Sequence, residues 1–236
     1  MSMIEILVAM GIIAVLTALL IPALSAARER ADAVRCMGNL RQVGTALLQM
    51  AADQRGVLRH WYSGTQSSAD SSVHWVKQLK DGGYLTMEEM TRLRCSAIPR
   101  DTLPNTHNWG FNLSDSHGTM GKASGGQSNS RVYQIIVGTH PTPARSVLLA
   151  GVSNGVAPDS PGAPTDLRIF PTGTASLGRI HLPHDGRGEM FFLDGHAEIA
   201  TPRRLTEISE TFGTSNSSQP VEYYDESHVL RKSPTL

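Results

Sequence analysis

The residue types able to do chemistry crowd one stretch of the chain. His181, His184, Asp185, Asp194 and His196 lie close together, and imidazole with carboxylate is a donor set for zinc and other transition metals. His184, Asp194 and His196 are therefore weak candidates for a metal site. The simpler reading is structural: Asp194 caps its own turn, His184 hydrogen-bonds to backbone beside it, and no metal or other cofactor is expected. Aspartate with histidine also suggests acyl transfer, yet no Gly-x-Ser-x-Gly elbow is present to activate a serine. Gly121 to Gly126 lacks the Gly-x-x-x-x-Gly-Lys-Ser/Thr order that cradles phosphate. Asp159 with Asp166, or Asp185 with Asp194, offers too few oxygens for calcium. An enzyme is not expected.

Cys36 and Cys95 are the two cysteines. Neither belongs to a Cys-x-x-Cys pair and neither has a histidine beside it in sequence, which argues against a metal. In an oxidising compartment the expected form is a Cys36–Cys95 disulfide, closing a loop of about 60 residues and contributing roughly 2–4 kcal/mol. Two buried thiols are the alternative.

The element that must carry Cys36 is a long N-terminal helix. No charged side chain occurs from Ile6 to Ala27, and at about 1.5 Å per residue roughly 20 apolar residues cross a hydrocarbon layer about 30 Å thick. A signal peptide would carry basic residues ahead of its apolar run, whereas here the only ionisable side chain before Ile6 is Glu5. A carboxylate at that position either rests among lipid headgroups or pairs with a positive group, most simply the terminal amine of a neighbouring copy. Pro22 removes a hydrogen bond from the helix interior and predicts a kink or a melted stretch near Leu19 to Pro22. Beyond it, Cys36, Leu40, Val43, Leu47 and Met50 form a one-sided apolar stripe, and Gly38 and Gly44 are expected where something packs closely. Three segments follow: an apolar helix over residues 1–27, its amphipathic continuation over 28–55, and a mixed α/β head over 56–236.

Met1-Ser2-Met3-Ile4-Glu5-Ile6-Leu7-Val8, with Pro22, resembles the mature start of type IV pilins and type II secretion pseudopilins. Met1 stands where that family has an N-methylated Phe exposed by prepilin peptidase. The resemblance implies processing and methylation at Met1, and assembly through Met1, Glu5 and Pro22. His184, nine residues and then Asp194-Gly195 resembles the H-X9-DG branch of pilin-like proteins, with His184-Asp185-Gly186 and Phe192-Leu193-Asp194-Gly195-His196 as its pieces; Glu189 stands where many members have Asn. The implied fold is α+β, a long N-terminal helix packed on an antiparallel sheet with short helices and long loops. The implied function is a structural subunit of an extracellular filament. A minor pseudopilin and a membrane-anchored surface binding protein are the alternatives. The implied partners are copies of the chain in a helical filament, prepilin peptidase, a pilus or secretion assembly platform, and the membrane. The location would be the inner membrane before assembly, then the cell surface or a periplasmic pseudopilus. Arg28, Arg30 and Arg35 would by themselves favour a cytoplasmic head, so the exported orientation rests on the resemblance. With 21 basic and 21 acidic residues, nothing suggests nucleic acid as a partner.

In the head, Trp75, Val76 and Leu79 predict a short helix ended by Gly82-Gly83. Thr86 with Glu89 is a capping box. Val57 to Ser72 and residues 114–130 read as loop. Val132–Val137 and Val147–Val152 are strand candidates, and Ser153–Thr165 reads as an exposed loop. Asp194-Gly195 predicts a two-residue type I′ hairpin, Thr201-Pro202 opens a terminal helix, and the tail after Gly213 reads as loop.

Overall fold

The computed structural model describes residues 2–63, 75–95, 109–112, 119–122, 130–153, 168–169, 179–209, 220–227 and 229–234. Helix α1 runs from Met3 to Asp53. It passes through Pro22 without interruption, so the melted stretch expected there is not formed. The i→i−4 ladder on either side holds the turn although Pro22 donates nothing. The helix ends where Arg55 and Gly56 adopt positive φ.

Two short helices follow, α2 (Trp75–Asp81) and α3 (Met87–Arg92). Trp75, Val76 and Leu79 face inward as their spacing predicts. Thr86 and Glu89 close the capping box that starts α3. Helix α4 (Pro202–Glu207) begins at Thr201, whose hydroxyl accepts from the Arg204 N–H.

Among the described residues the strands form two sheets. In the smaller, β1 (Val57–Ser63), β4 (Ser130–Ile136) and β3 (Thr119–Lys122) lie in the order β1-β4-β3. Strands β1 and β3 occupy stretches that read as loop; antiparallel pairing to β4 makes them strands, and β1 sends Leu58 into the core. The larger sheet has eight strands: β2 (Trp109–Asn112), β5 (Val147–Ser153), β6 (Arg168–Ile169), β7 (Arg179–His181), β8 (Gly188–Phe192), β9 (Ala197–Ala200), β10 (Glu222–Tyr224) and β11 (Leu230–Lys232). Its pairings are antiparallel except β2 with β6 and β7 with β10, which are parallel. The tail is thus partly strand, since β10 joins β7 and turns back as β11. The Ser153–Thr165 loop lies, beyond Ser153 itself, outside the described residues.

The large sheet is a middle layer. On one face α1, α2 and α3 bury Leu40, Leu47, Met50, Trp75, Leu79 and Met90 in one core with Leu148, Leu149 and Phe191. On the other, Leu205, Ile208 and Val221 cover Val147, Ala150, Met190 and Phe192. Phe191 and its neighbours Met190 and Phe192 face opposite layers, as alternation in a strand requires. A bulge between Val147 and Leu149 breaks that alternation in β5, so Leu148 and Leu149 both enter the helix-side core. This is the predicted α+β architecture, a long helix docked on a mixed, mostly antiparallel sheet.

Candidate functional site

The chain presents two features with functional content: the uncovered front of α1, and a buried cluster where α1 meets the head. Buried positions on α1 begin at Cys36. Ahead of it, Met3, Ile4, Ile6, Leu7, Val8, Met10, Ile12, Ile13, Leu16, Leu19, Leu20 and Leu24 are all exposed, and the apolar stretch is 0% buried within the single chain. By length and composition it suffices to cross a membrane. Met1 lies outside the described residues. Glu5 acts locally in the single chain: its Oε2 accepts from the Ser2 backbone N–H at 2.8 Å, while Ser2 Oγ accepts from Ile4 N–H. Ser2 and Glu5 are the reciprocal capping pair of α1, a Ser-x-x-Glu signal missed in the sequence, where Glu5 was expected to look to a neighbouring copy or to headgroups.

The Asp-Gly turn of tightest hairpin type lies at Asp185-Gly186, not at Asp194-Gly195. Asp185 and Gly186 have φ of 52° and 68°, and His184 and Arg187 exchange both backbone hydrogen bonds at 2.9 and 3.0 Å, a two-residue loop with both central φ positive. At the other site only Gly195 has positive φ, at 93°. There Gly195 N–H reaches the Phe192 carbonyl and Phe192 N–H the His196 carbonyl, giving a three-residue loop with a glycine bulge. The longer loop lets Leu193 turn inward, 3% exposed, with its N–H on the Ser146 carbonyl.

Asp194 does cap its turn, accepting from the His196 N–H at 3.1 Å. It also meets His196 Nδ1, and that ring stacks on Phe192 with centroids 4.2 Å apart. His181 Nε2–H donates to the Asp225 carbonyl at 3.2 Å. His184 does not join Asp194 and His196, and its ring does not bond to backbone near them; it goes to the cysteines.

This happens because the chain leaves the sheet between β7 and β8. Ile180 is opposite Val152 and Met190 opposite Ala150, so the surplus residues between them are thrown out as a loop toward α1. Gly188 closes its base, where a β-carbon would stand 2.5 Å from the His181 carbonyl oxygen. At the loop's head His184 is 3% exposed. Its Nε2 lies 3.3 Å from Cys95 Sγ and 3.3 Å from Glu189 Oε1, and its Nδ1 faces Glu29 on α1 at 4.0 Å.

Cys36 and Cys95 are both buried and are not joined, so the expected disulfide is not formed. One ligand atom each from Cys36, Cys95 and His184 fall within 4.8 Å of one another, and the imidazole sits against the sulfurs. The lack of a histidine beside the cysteines in sequence, which had spoken against a metal, is thus made good by folding. Glu189, on a strand buried at every position, has an Oε1 with no hydrogen-bond partner. Burial first, and then negative charge on the Cys36 sulfur, push its carboxyl up to about 8 against the opposing pull of His184. Burial alone would lower His184, but the Cys36 sulfur and the Glu189 and Glu29 carboxylates raise it above its ordinary value. Glu189 and Glu29 were not recognised in the sequence as site residues; a carboxylate inside an otherwise apolar strand was the available signal.

Among the described residues the nucleophiles set against a histidine are buried: Cys95 beside His184 is 2% exposed. Ser146 Oγ lies 3.2 Å from His140 Nδ1, but it is buried and donates to the Thr142 carbonyl, clasping a turn.

A scan against protein-family models, a search of curated proteins and a search of solved structures each returned no match. The resemblance is one of architecture: a long N-terminal helix with a C-terminal sheet, as in pilin-like proteins.

Proposed function

We propose that this chain is a structural subunit of a type IV pilus-like filament, held in the inner membrane by α1 and assembled by packing that helix against copies of itself. The single supporting observation is the contrast along one continuous helix: the rear half is the spine of the head's core, while the front is apolar on every side and covered by none of the described residues. Such a surface needs lipid or other helices around it. Moving from lipid into a bundle exchanges one apolar setting for another, so assembly requires little transfer energy and close helix packing can drive it. Prepilin peptidase and an assembly platform are the partners this reading entails, with Met1 the processed and methylated residue. Finer placement within the H-X9-DG branch rests on the motif alone.

The test separates the charge of Glu5 from its capping role. Glu5→Gln keeps an acceptor for Ser2 N–H but cannot form an ion pair with a neighbour's terminal amine. Electron microscopy of sheared cell surfaces should show filaments for the native chain and few for the Gln variant at equal membrane levels. Filaments of normal abundance with Gln would refute the assembly role of the charge. No filaments from the native chain, with the protein single in the membrane, would favour an anchored binding protein.

A further inference from the structure

We propose that Cys36, Cys95, His184 and Glu189 form a binding site for one thiophilic divalent cation of the zinc class, which fastens the head to α1. The proposal is independent of the filament reading. Two sulfurs, an imidazole nitrogen and a carboxylate oxygen are the donors of a closed, four-coordinate zinc site. Ligand atoms about 2.0–2.3 Å from a tetrahedral zinc stand roughly 3.3–3.8 Å from one another. The Nε2–Sγ and Nε2–Oε1 separations here are both 3.3 Å, and the cysteine and histidine donors all lie within 4.8 Å, so small side-chain movements close the shell.

Three observations point to a ligand rather than to chance proximity. Glu189 is 1% exposed and its Oε1, although 3.3 Å from His184 Nε2, makes no hydrogen bond; a buried carboxyl oxygen held only by that ion-pair contact is costly unless a donor or a cation completes its shell. His184 presents Nε2 to the cluster and Nδ1 toward Glu29 at 4.0 Å, an ion-pair distance from which a small movement of the half-exposed Glu29 side chain gives the carboxylate–histidine hydrogen bond that orients a metal-bound imidazole. Finally, the donors come from four places, α1, the end of the α3 segment, the loop between β7 and β8, and β8 itself. A cation there would cross-link the whole junction, as a disulfide of the two cysteines alone would not.

The test uses the full chain in detergent, reduced and stripped with a chelator, then titrated with Co2+ and Zn2+. The native chain should bind one cobalt, with a sulfur-to-cobalt charge-transfer band in the near ultraviolet and the strong visible bands of a four-coordinate ion, both removed by zinc. Cys36→Ser, Cys95→Ser and Glu189→Gln should each weaken binding by more than roughly 100-fold, and Glu29→Gln by roughly 10-fold. The native spectrum decides even where a variant does not fold. Native protein that takes up no cobalt, a cobalt spectrum without the sulfur band, or unchanged affinity in Glu189→Gln would overturn the assignment. So would a chain isolated without reductant that carries no metal and is lighter by two hydrogens, which would give the cysteines to a disulfide.

Discussion

The ring of Phe191 occupies the space that a side chain at Gly44 would need: a β-carbon there would lie 2.4 Å from two ring carbons. Helix and sheet therefore approach closely at this glycine. Gly44→Ala should destabilise the docked head by about 1–3 kcal/mol, more than offsetting the gain of about 1 kcal/mol in helix propensity. Gly38→Ala is the control, since a β-carbon there meets nothing within 4 Å, which corrects the expectation that both glycines serve close packing. Thermal melts of the two variants in detergent should shift in opposite directions.

Gly188→Ala should lower the melting temperature as well, for a different reason. Its β-carbon would collide with the His181 carbonyl oxygen, a backbone atom that cannot swing aside. The base of the loop must then open, and the Leu182 N–H to Tyr224 carbonyl bond beside it should lose protection in hydrogen exchange while amides of α2 keep theirs.

Arg179 is fully buried, with Nε 3.2 Å from Glu222 Oε2. Glu222→Ala leaves the guanidinium inside without this carboxylate, at a cost of roughly 3–5 kcal/mol. Chemical denaturation should report that loss, and Arg179→Met combined with Glu222→Ala should recover much of it.

Asp225 supplies a pH-dependent contact. Burial by itself would raise its carboxyl, but hydrogen bonds from Val229 N–H, Arg231 and Ser227 N–H outweigh that and hold it below its ordinary 3.8. A carboxyl lowered on folding contributes stability above its unfolded value and loses it as pH falls through the folded one. The stability gap between the native chain and Asp225→Asn should therefore be full at neutral pH and vanish in acid below 3.8. Carboxyl titration by NMR should give a midpoint under that value.

Elements set by local chemistry were legible from residue types. Thr86 with Glu89, Thr201 with Pro202, and the Trp75–Val76–Leu79 spacing each name an element whose stabilising partners lie within a turn or two. Strands β1 and β3 were not legible, because these short runs within turn-like text become strand through pairing with β4, a relation between distant segments. The buried cluster was hidden for the same reason. Cys36, Cys95, His184 and Glu189 carry no ligand spacing, and only the loop thrown out between β7 and β8 sets the imidazole against the sulfurs. The exchange between the two Asp-Gly turns is subtler: both dipeptides suit either loop, and the demand of Leu193 for burial decided which received the extra residue.

Through His184 the head reaches Glu29, two positions past the last residue of the charge-free run. About two turns of largely exposed helix, Arg28 to Arg35, separate that run from the first buried position, Cys36. Because that spacer is helix and continuous with the rod, in a bilayer the head would stand a short, stiff distance from the leaflet, and any tilt of the rod would turn the head with it.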